Sequence, residues 1–154
     1  MSGKSDFTDD EWTAVSEAPL LVMVTMFSAG EHGPISMIKE SSAGARVITQ
    51  PGNRGAASGL IAEIIPDAQS KEARHDVGHP HGSSLEEIIA TSLTKLEPAA
   101  TALRKLPADE ATEVGAWLAD IAAAVAKAAK GVKDTERDTL AKIAAMFSVP
   151  APTI

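Results

Sequence analysis

The spacing of apolar residues limits this chain to helical folds. In the clearest segment, one stripe of a helix predicted after residue 107 carries Val114, Trp117, Leu118, Ile121 and Val125. The alternation of apolar and polar residues that marks a half-buried β-strand is nearly missing, and only residues 45–49 fit either pattern. We therefore predict an all-α protein.

Start and stop signals divide the chain into six or seven helices. Thr8 and Glu11 have the spacing of a capping box, in which each side chain accepts a backbone N–H at the helix start. Pro19 either kinks the first helix or begins a second one, because it donates no hydrogen bond to the preceding turn. Pro98 and Pro107 stand where prolines commonly begin helices.

The 154 residues suit one globular domain, since domains commonly hold about 100–150 residues. We predict a single helical bundle with Trp117, Phe27, Phe147 and Met146 as core anchors. The predicted organisation is a flexible N-terminal tail (1–7), the helical domain (8–148) with an exposed histidine-containing loop at 67–84, and a C-terminal tail (149–154).

Composition excludes several functional classes. The absence of cysteine excludes disulfides, zinc–thiolate sites, iron–sulfur clusters and a cysteine nucleophile. The net charge of −7 and the 3% aromatic content disfavour nucleic-acid binding, which needs cations for phosphates and aromatic rings for bases. We recognise no signal peptide in the acidic start, and the apolar run 18–27 is too short to cross a bilayer. A cytoplasmic protein without a transmembrane segment is the expectation.

The densest group of metal-ligand residue types lies in the predicted loop. His75, His79 and His81, together with Asp76, have a spacing that can bring two or three imidazoles to one divalent transition metal ion. His32 joins this group only if the fold brings it near. The alternative is an exposed polar loop whose histidines titrate near the ordinary value of about 6.5.

Other constellations are weaker. Glu40 and Glu63 each lie near an apolar stripe, so partial burial or a solvated helix flank are both open. Arg54, in the glycine-rich segment 51–55, can bind an anion at the following helix or belong to an ordinary turn. The chain has no serine nucleophile elbow, no P-loop and no dinucleotide-binding glycine motif, and we predict no catalytic residue.

An alanine-rich apolar segment from Ala123 is followed by Gly131 and Val132, and then by Glu136, Leu140 and Ile143 in the next predicted helix. This arrangement over 123–144 resembles the tellurite-resistance TerB-like helical family. In that family an apolar helix ends in an Asp-Gly turn, and a hydrophobic residue, a short polar stretch and a glutamate follow. Gly131, Val132 and Glu136 stand at the matching positions, whereas Lys130 replaces the usual aspartate. A fainter first copy runs from residue 20 through the turn 33–35 to Glu40. The physical alternative is an ordinary glycine helix stop and an acidic first turn of the next helix.

The resemblance implies an all-α fold of two related halves and a stress-response or protein-interaction role without a known reaction. Our leading prediction is therefore a non-enzymatic interaction domain that binds a protein partner or self-associates. A metal-binding or metal-sensing protein that uses the histidine loop is the second hypothesis. An enzyme with a pocket not visible in the sequence is the third.

Overall fold

The computed structural model describes residues 2–30, 34–78, 82–128 and 131–154, and for residues 34–40 it describes the backbone alone. This part of the chain contains seven α-helices and no strand, which confirms the all-α prediction. The helices are α1 (Asp9–Gly30), α2 (Pro34–Thr49), α3 (Ser58–Ala68), α4 (Lys71–Val77), α5 (Leu85–Leu103), α6 (Ala108–Ala128) and α7 (Asp134–Met146). The ambiguous residues 45–49 belong to α2.

Helix α1 is the centre of the bundle and packs against all six other helices. The capping box opens it as predicted: the Thr8 N–H donates to Glu11 Oε1 over 2.9 Å, and the Glu11 N–H donates to Thr8 Oγ1 over 3.2 Å. Residues on every side of the helix are buried, including Val22 and Met26 at 0% exposure. A helix that is apolar all round has to lie inside a protein or a membrane.

By length and hydropathy alone, α1 is also the one helix in the described chain that meets the requirements for crossing a membrane. The run considered from the sequence is shorter than α1, because the helix passes through Pro19 without ending. In the structure, 61% of the apolar window of α1 is buried. The central helix of a bundle passes the same test.

Helices α2 and α6 approach closely, because small residues and a tryptophan lie where they meet. Trp117 on α6 is completely buried, and its indole Nε1 donates to the Val47 carbonyl of α2 over 3.1 Å. At Gly44 a Cβ atom would lie 3.0 Å from Met23 Cε and 3.0 Å from Val125 Cγ2. Of the other predicted anchors, Phe147 is buried, whereas residues 27 and 146 are half-buried.

Proline marks fewer helix starts than the sequence suggested. Pro107 directly precedes α6, but Pro98 lies inside α5, so the prediction of a helix start at Pro98 is wrong. The reason is that Leu96 and Leu103, on either side of Pro98, both pack into the core on one helix face. The packing free energy gained when both leucines stay on one continuous helix offsets the loss of the one backbone hydrogen bond that Pro98 removes.

The predicted exposed loop at 67–84 is wrong over α4. Ser70 caps this helix, since its Oγ accepts the Ala73 N–H over 3.1 Å, and Gly78 ends it with φ of 56°. Ala73 and Val77, one turn apart, are the two residues that α4 buries. Two apolar residues are too few to show helical periodicity in the sequence, so this helix was not predicted.

The segments predicted as tails pack against the domain. Phe7 is buried and lies 5.9 Å from Trp12 between ring centroids, after a 3₁₀ turn at Lys4–Asp6. At the other end, α7 closes with the Val149 N–H donating to the Ala144 carbonyl over 3.0 Å, and Val149 is buried. Residues 2–7, predicted as a flexible N-terminal tail, therefore contact the domain through the buried Phe7.

Candidate functional site

The predicted metal ligands are only partly described by the structure. His75 and Asp76 lie on α4 and are both exposed. His79 and His81, like His32, lie outside the described residues. Across the part of the chain that is described, no three His, Asp or Glu side chains come close enough to hold one metal ion.

Asp76 instead pairs with a residue that the sequence did not single out. Its carboxyl group hydrogen-bonds to that of Glu17, a half-buried residue on α1. Desolvation, and then the hydrogen bond and charge of Asp76, raise the pKa of Glu17 to about 7, and Lys95 on α5 opposes this rise. The carboxyl group of Glu17 is therefore protonated in part below neutral pH.

Glu17 and Asp76 border a shallow pocket of about 260 Å³ between α1 and the α3–α4 junction. Asp67 and Glu72 also border it, and the Trp12 Nε1 donates to Asp67 Oδ2 over 2.7 Å. Both serine hydroxyls of the pocket donate to backbone carbonyls: that of Ser16 to the Thr13 carbonyl, and that of Ser70 to the Asp67 carbonyl. The pocket therefore has perturbed acid chemistry, but neither of these two serines is activated by a base.

Of the two glutamates considered from the sequence, Glu40 and Glu63, the structure describes the side chain of Glu63 alone. Glu63 is exposed, and its Oε2 accepts the Lys4 N–H over 2.7 Å, which holds the N-terminal segment on α3. The side chain of Glu40 lies outside the described residues. A buried acid appears instead at Glu110, where hydrogen bonds from the Ser2 hydroxyl and N–H lower the pKa of the carboxyl group.

The residues of the TerB-like motif lie around the start of α7. Gly131 has φ of 80°, the left-handed conformation expected of a glycine helix stop, and Val132 is half-buried. Glu136 is completely buried, and its Oε1 accepts the Lys133 N–H over 3.0 Å. Because this carboxylate points into the protein and caps a helix, it is a structural group rather than a surface ligand.

Arg54, the candidate anion-binding residue, is already engaged. Its guanidinium Nη1 lies 2.8 Å from Asp120 Oδ2 on α6, and its Nε donates to the Pro51 carbonyl over 2.7 Å. The Arg54 side chain is only 16% exposed. It therefore ties the α2–α3 connection to α6.

Two open grooves lie along α5, one beside its first half and the other beside its second half. The α5–α7 groove has a volume of about 450 Å³ and is lined by Leu85, Glu86, Ile89, Ala90, Leu93, Thr135, Asp138, Thr139 and Lys142. The α1–α5 groove has a volume of about 570 Å³ and is lined by Asp10, Glu11, Ala14, Thr94, Glu97, Pro98, Thr101 and Ala102.

The α5–α7 groove leaves large apolar side chains of α5 partly accessible. Leu85 and Leu93 line the groove on the apolar stripe of α5, and each is only half-buried. Ile89, between them, is buried. The stripe is wider than the contact that α7 makes with it, so part of it remains accessible.

Comparison of the chain with protein-family models, with curated proteins and with solved structures finds no match.

Proposed function

We propose that this chain is a non-enzymatic helical interaction domain that binds a protein partner through the α5–α7 groove. The observation that supports this function is the pair of accessible apolar side chains, Leu85 and Leu93, that line the groove. Side chains of this type gain about 1.5–3 kcal/mol each when they are fully buried. A partner that covers the groove would recover the part of that free energy that the fold leaves unused.

The rim of the groove supports recognition of a protein rather than a membrane. Glu86, Asp138 and Lys142 place charges of both signs beside the apolar floor. An apolar core with a mixed polar rim is the usual anatomy of a protein interface, and an amphipathic helix is a common occupant of such grooves.

The groove also adjoins the segment that resembles the TerB-like family. Thr135, Asp138 and Thr139 line it, and they flank the motif residue Glu136. If the resemblance reflects common descent, the stress-response role that it implies would be exercised at this surface. Membership of that family remains part of the proposal.

The experiment is site-specific photo-crosslinking in cells. A photoreactive amino acid at Ala90, an exposed groove residue, is compared with the same group at Ala145, an exposed residue of α7 outside the groove. We expect a discrete crosslinked species from Ala90 alone, and we expect Leu93→Asp to abolish it.

Thr91→Asp is the matched control, since it adds the same charge to an exposed α5 residue that does not line the groove. Crosslinking from both positions, or equal loss with Leu93→Asp and Thr91→Asp, would refute a specific interface. A crosslinked species of twice the mass of the chain would identify the partner as a second copy.

The metal-binding hypothesis stays a prediction. Elemental analysis of the untagged protein, with His75→Ala and His79→Ala variants, tests it directly. Stoichiometric metal that both substitutions abolish would place a working site at this segment, whereas metal-free protein would reject the hypothesis.

A further inference from the structure

The α1–α5 groove differs in chemistry from the α5–α7 groove. The apolar residues that line it are small or compact, namely the half-buried Ala14, the exposed Pro98 and the buried Ala102, and its volume is the larger of the two. Floors of this kind leave room for a partner's larger side chains, because a helix backbone can approach small residues closely.

The rim of this groove is acidic. Asp10 and Glu97 are exposed on α1 and α5, and neither makes an ion pair within the described residues. Glu11, the third acid, is paired with Lys105, whose Nζ lies 2.7 Å from Glu11 Oε1. The groove therefore has two carboxylates available to a ligand and no lining cation.

Glu97 is placed differently in its helix from the other two acids of the groove. Asp10 and Glu11 lie in the first turn of α1, where negative charge favours the helix dipole. Glu97 lies inside α5, away from either end, so its charge gains nothing from the helix dipole. Its charge adds to that of Asp10 across the groove, in a chain whose net charge is −7.

We infer that the α1–α5 groove binds a basic amphipathic helix of a partner protein, whose apolar side chains pack on Ala14 and Pro98 while its Lys or Arg side chains reach Asp10 and Glu97. Charge complementarity selects this occupant: an acidic or neutral helix would leave the two carboxylates without partners beside an apolar floor. The inference concerns a different surface from the α5–α7 groove and does not depend on it.

The test uses a fluorescently labelled synthetic helical peptide with leucine and alanine on one face and lysine on the other. Its binding to the full chain is measured by anisotropy at about 50 mM and about 300 mM salt, because salt screens contacts between exposed charges. We expect saturable binding, weaker at the higher salt, and no binding of a control peptide with glutamate in place of lysine.

The decisive variants are Asp10→Lys with Glu97→Lys, compared with Glu86→Lys with Asp138→Lys at the other groove. Both pairs change the net charge equally and at exposed residues, so both should fold. We expect the first pair to weaken the peptide about tenfold or more, which corresponds to about 1.4 kcal/mol, and the second to weaken it less than about threefold.

Equal losses in the two double variants would overturn the inference, because they would show attraction to net charge rather than to this groove. Failure of the lysine peptide to bind the wild-type chain would overturn it as well. Neither result bears on the crosslink at Ala90, which reports on the other groove.

Discussion

The carboxyl pair of Glu17 and Asp76 makes the stability of the protein depend on pH in a direction opposite to that of most carboxylates. The pKa of Glu17 is raised from its usual 4.5 to about 7 in the folded protein. Between these values the folded state holds a proton that the unfolded state releases. The free energy of unfolding therefore falls as the pH rises from about 4.5 to about 7, and it levels off above that.

The size of this effect follows from the two pKa values. At about 1.4 kcal/mol per pKa unit, the difference corresponds to an upper limit of about 3 kcal/mol. Glu17 is only half-buried, and solvent screening reduces the repulsion between exposed charges, so we expect a loss of about 1–2 kcal/mol. The structure places this repulsion across the α1–α4 contact, where α4 buries only Ala73 and Val77.

Glu17→Gln removes the titrating group and keeps a hydrogen-bond donor for Asp76. We expect the variant to match the wild type near pH 5 and to be more stable by about 1–2 kcal/mol near pH 8. The measurement is urea unfolding at several pH values. Glu72→Gln, at an exposed acid of the same pocket, is the control and should keep the wild-type pH dependence.

A Glu17→Gln variant that loses stability with pH as steeply as the wild type would refute this reasoning. The raised pKa of Glu17 would then contribute nothing measurable to stability, and the pH dependence would arise at other groups.

Three further substitutions test the packing. Gly115→Ala should lower the free energy of unfolding by about 1 kcal/mol in urea, because the new Cβ would lie 2.9 Å from Phe147 Cβ and this overlap outweighs the gain of about 1 kcal/mol in helix propensity. A stabilised variant would contradict the close contact between α6 and Phe147. Trp117→Phe should lower the free energy of unfolding by about 2–4 kcal/mol, since it leaves the Val47 carbonyl without its indole donor and opens a cavity. A loss below about 1 kcal/mol would show that neighbouring side chains fill the cavity. Ser148→Gly should raise the melting temperature by a few degrees, because Ser148 has φ of 57°, a left-handed conformation that strains a serine by about 1 kcal/mol but not a glycine. An unchanged or lower melting temperature would argue against strain at this residue.

Much of the secondary structure was predictable because it depends on local chemistry. The stripe that ends in Val125, the capping pair of Thr8 and Glu11, and the stop at Gly131 are encoded within a few neighbouring residues. The failures have a local cause too: α4 carries too few apolar residues for a periodic signal, and Pro98 resembles a helix start unless its packed neighbours are known.

The candidate sites were harder to predict, because they join residues that are distant in sequence. Glu17 lies in an apolar helix, one turn before the buried Leu21, and this was the one available sign that its carboxyl group is unusual. Its partner Asp76 had been assigned to a histidine loop. For Glu63 the sequence left partial burial and a solvated flank both open, and the structure shows it exposed, because which helix flank is covered depends on the neighbouring helices.

The sequence by itself determined that this chain is helical, acidic and without thiol chemistry, since periodicity, charge and composition need no knowledge of contacts. Only the tertiary structure decided which acids meet and which apolar side chains stay accessible. The reason is physical: a helix stripe is defined by 3.6-residue spacing, but its exposure and the pKa values beside it are defined by what packs against it. The two grooves along α5 and the Glu17–Asp76 pair are products of that packing.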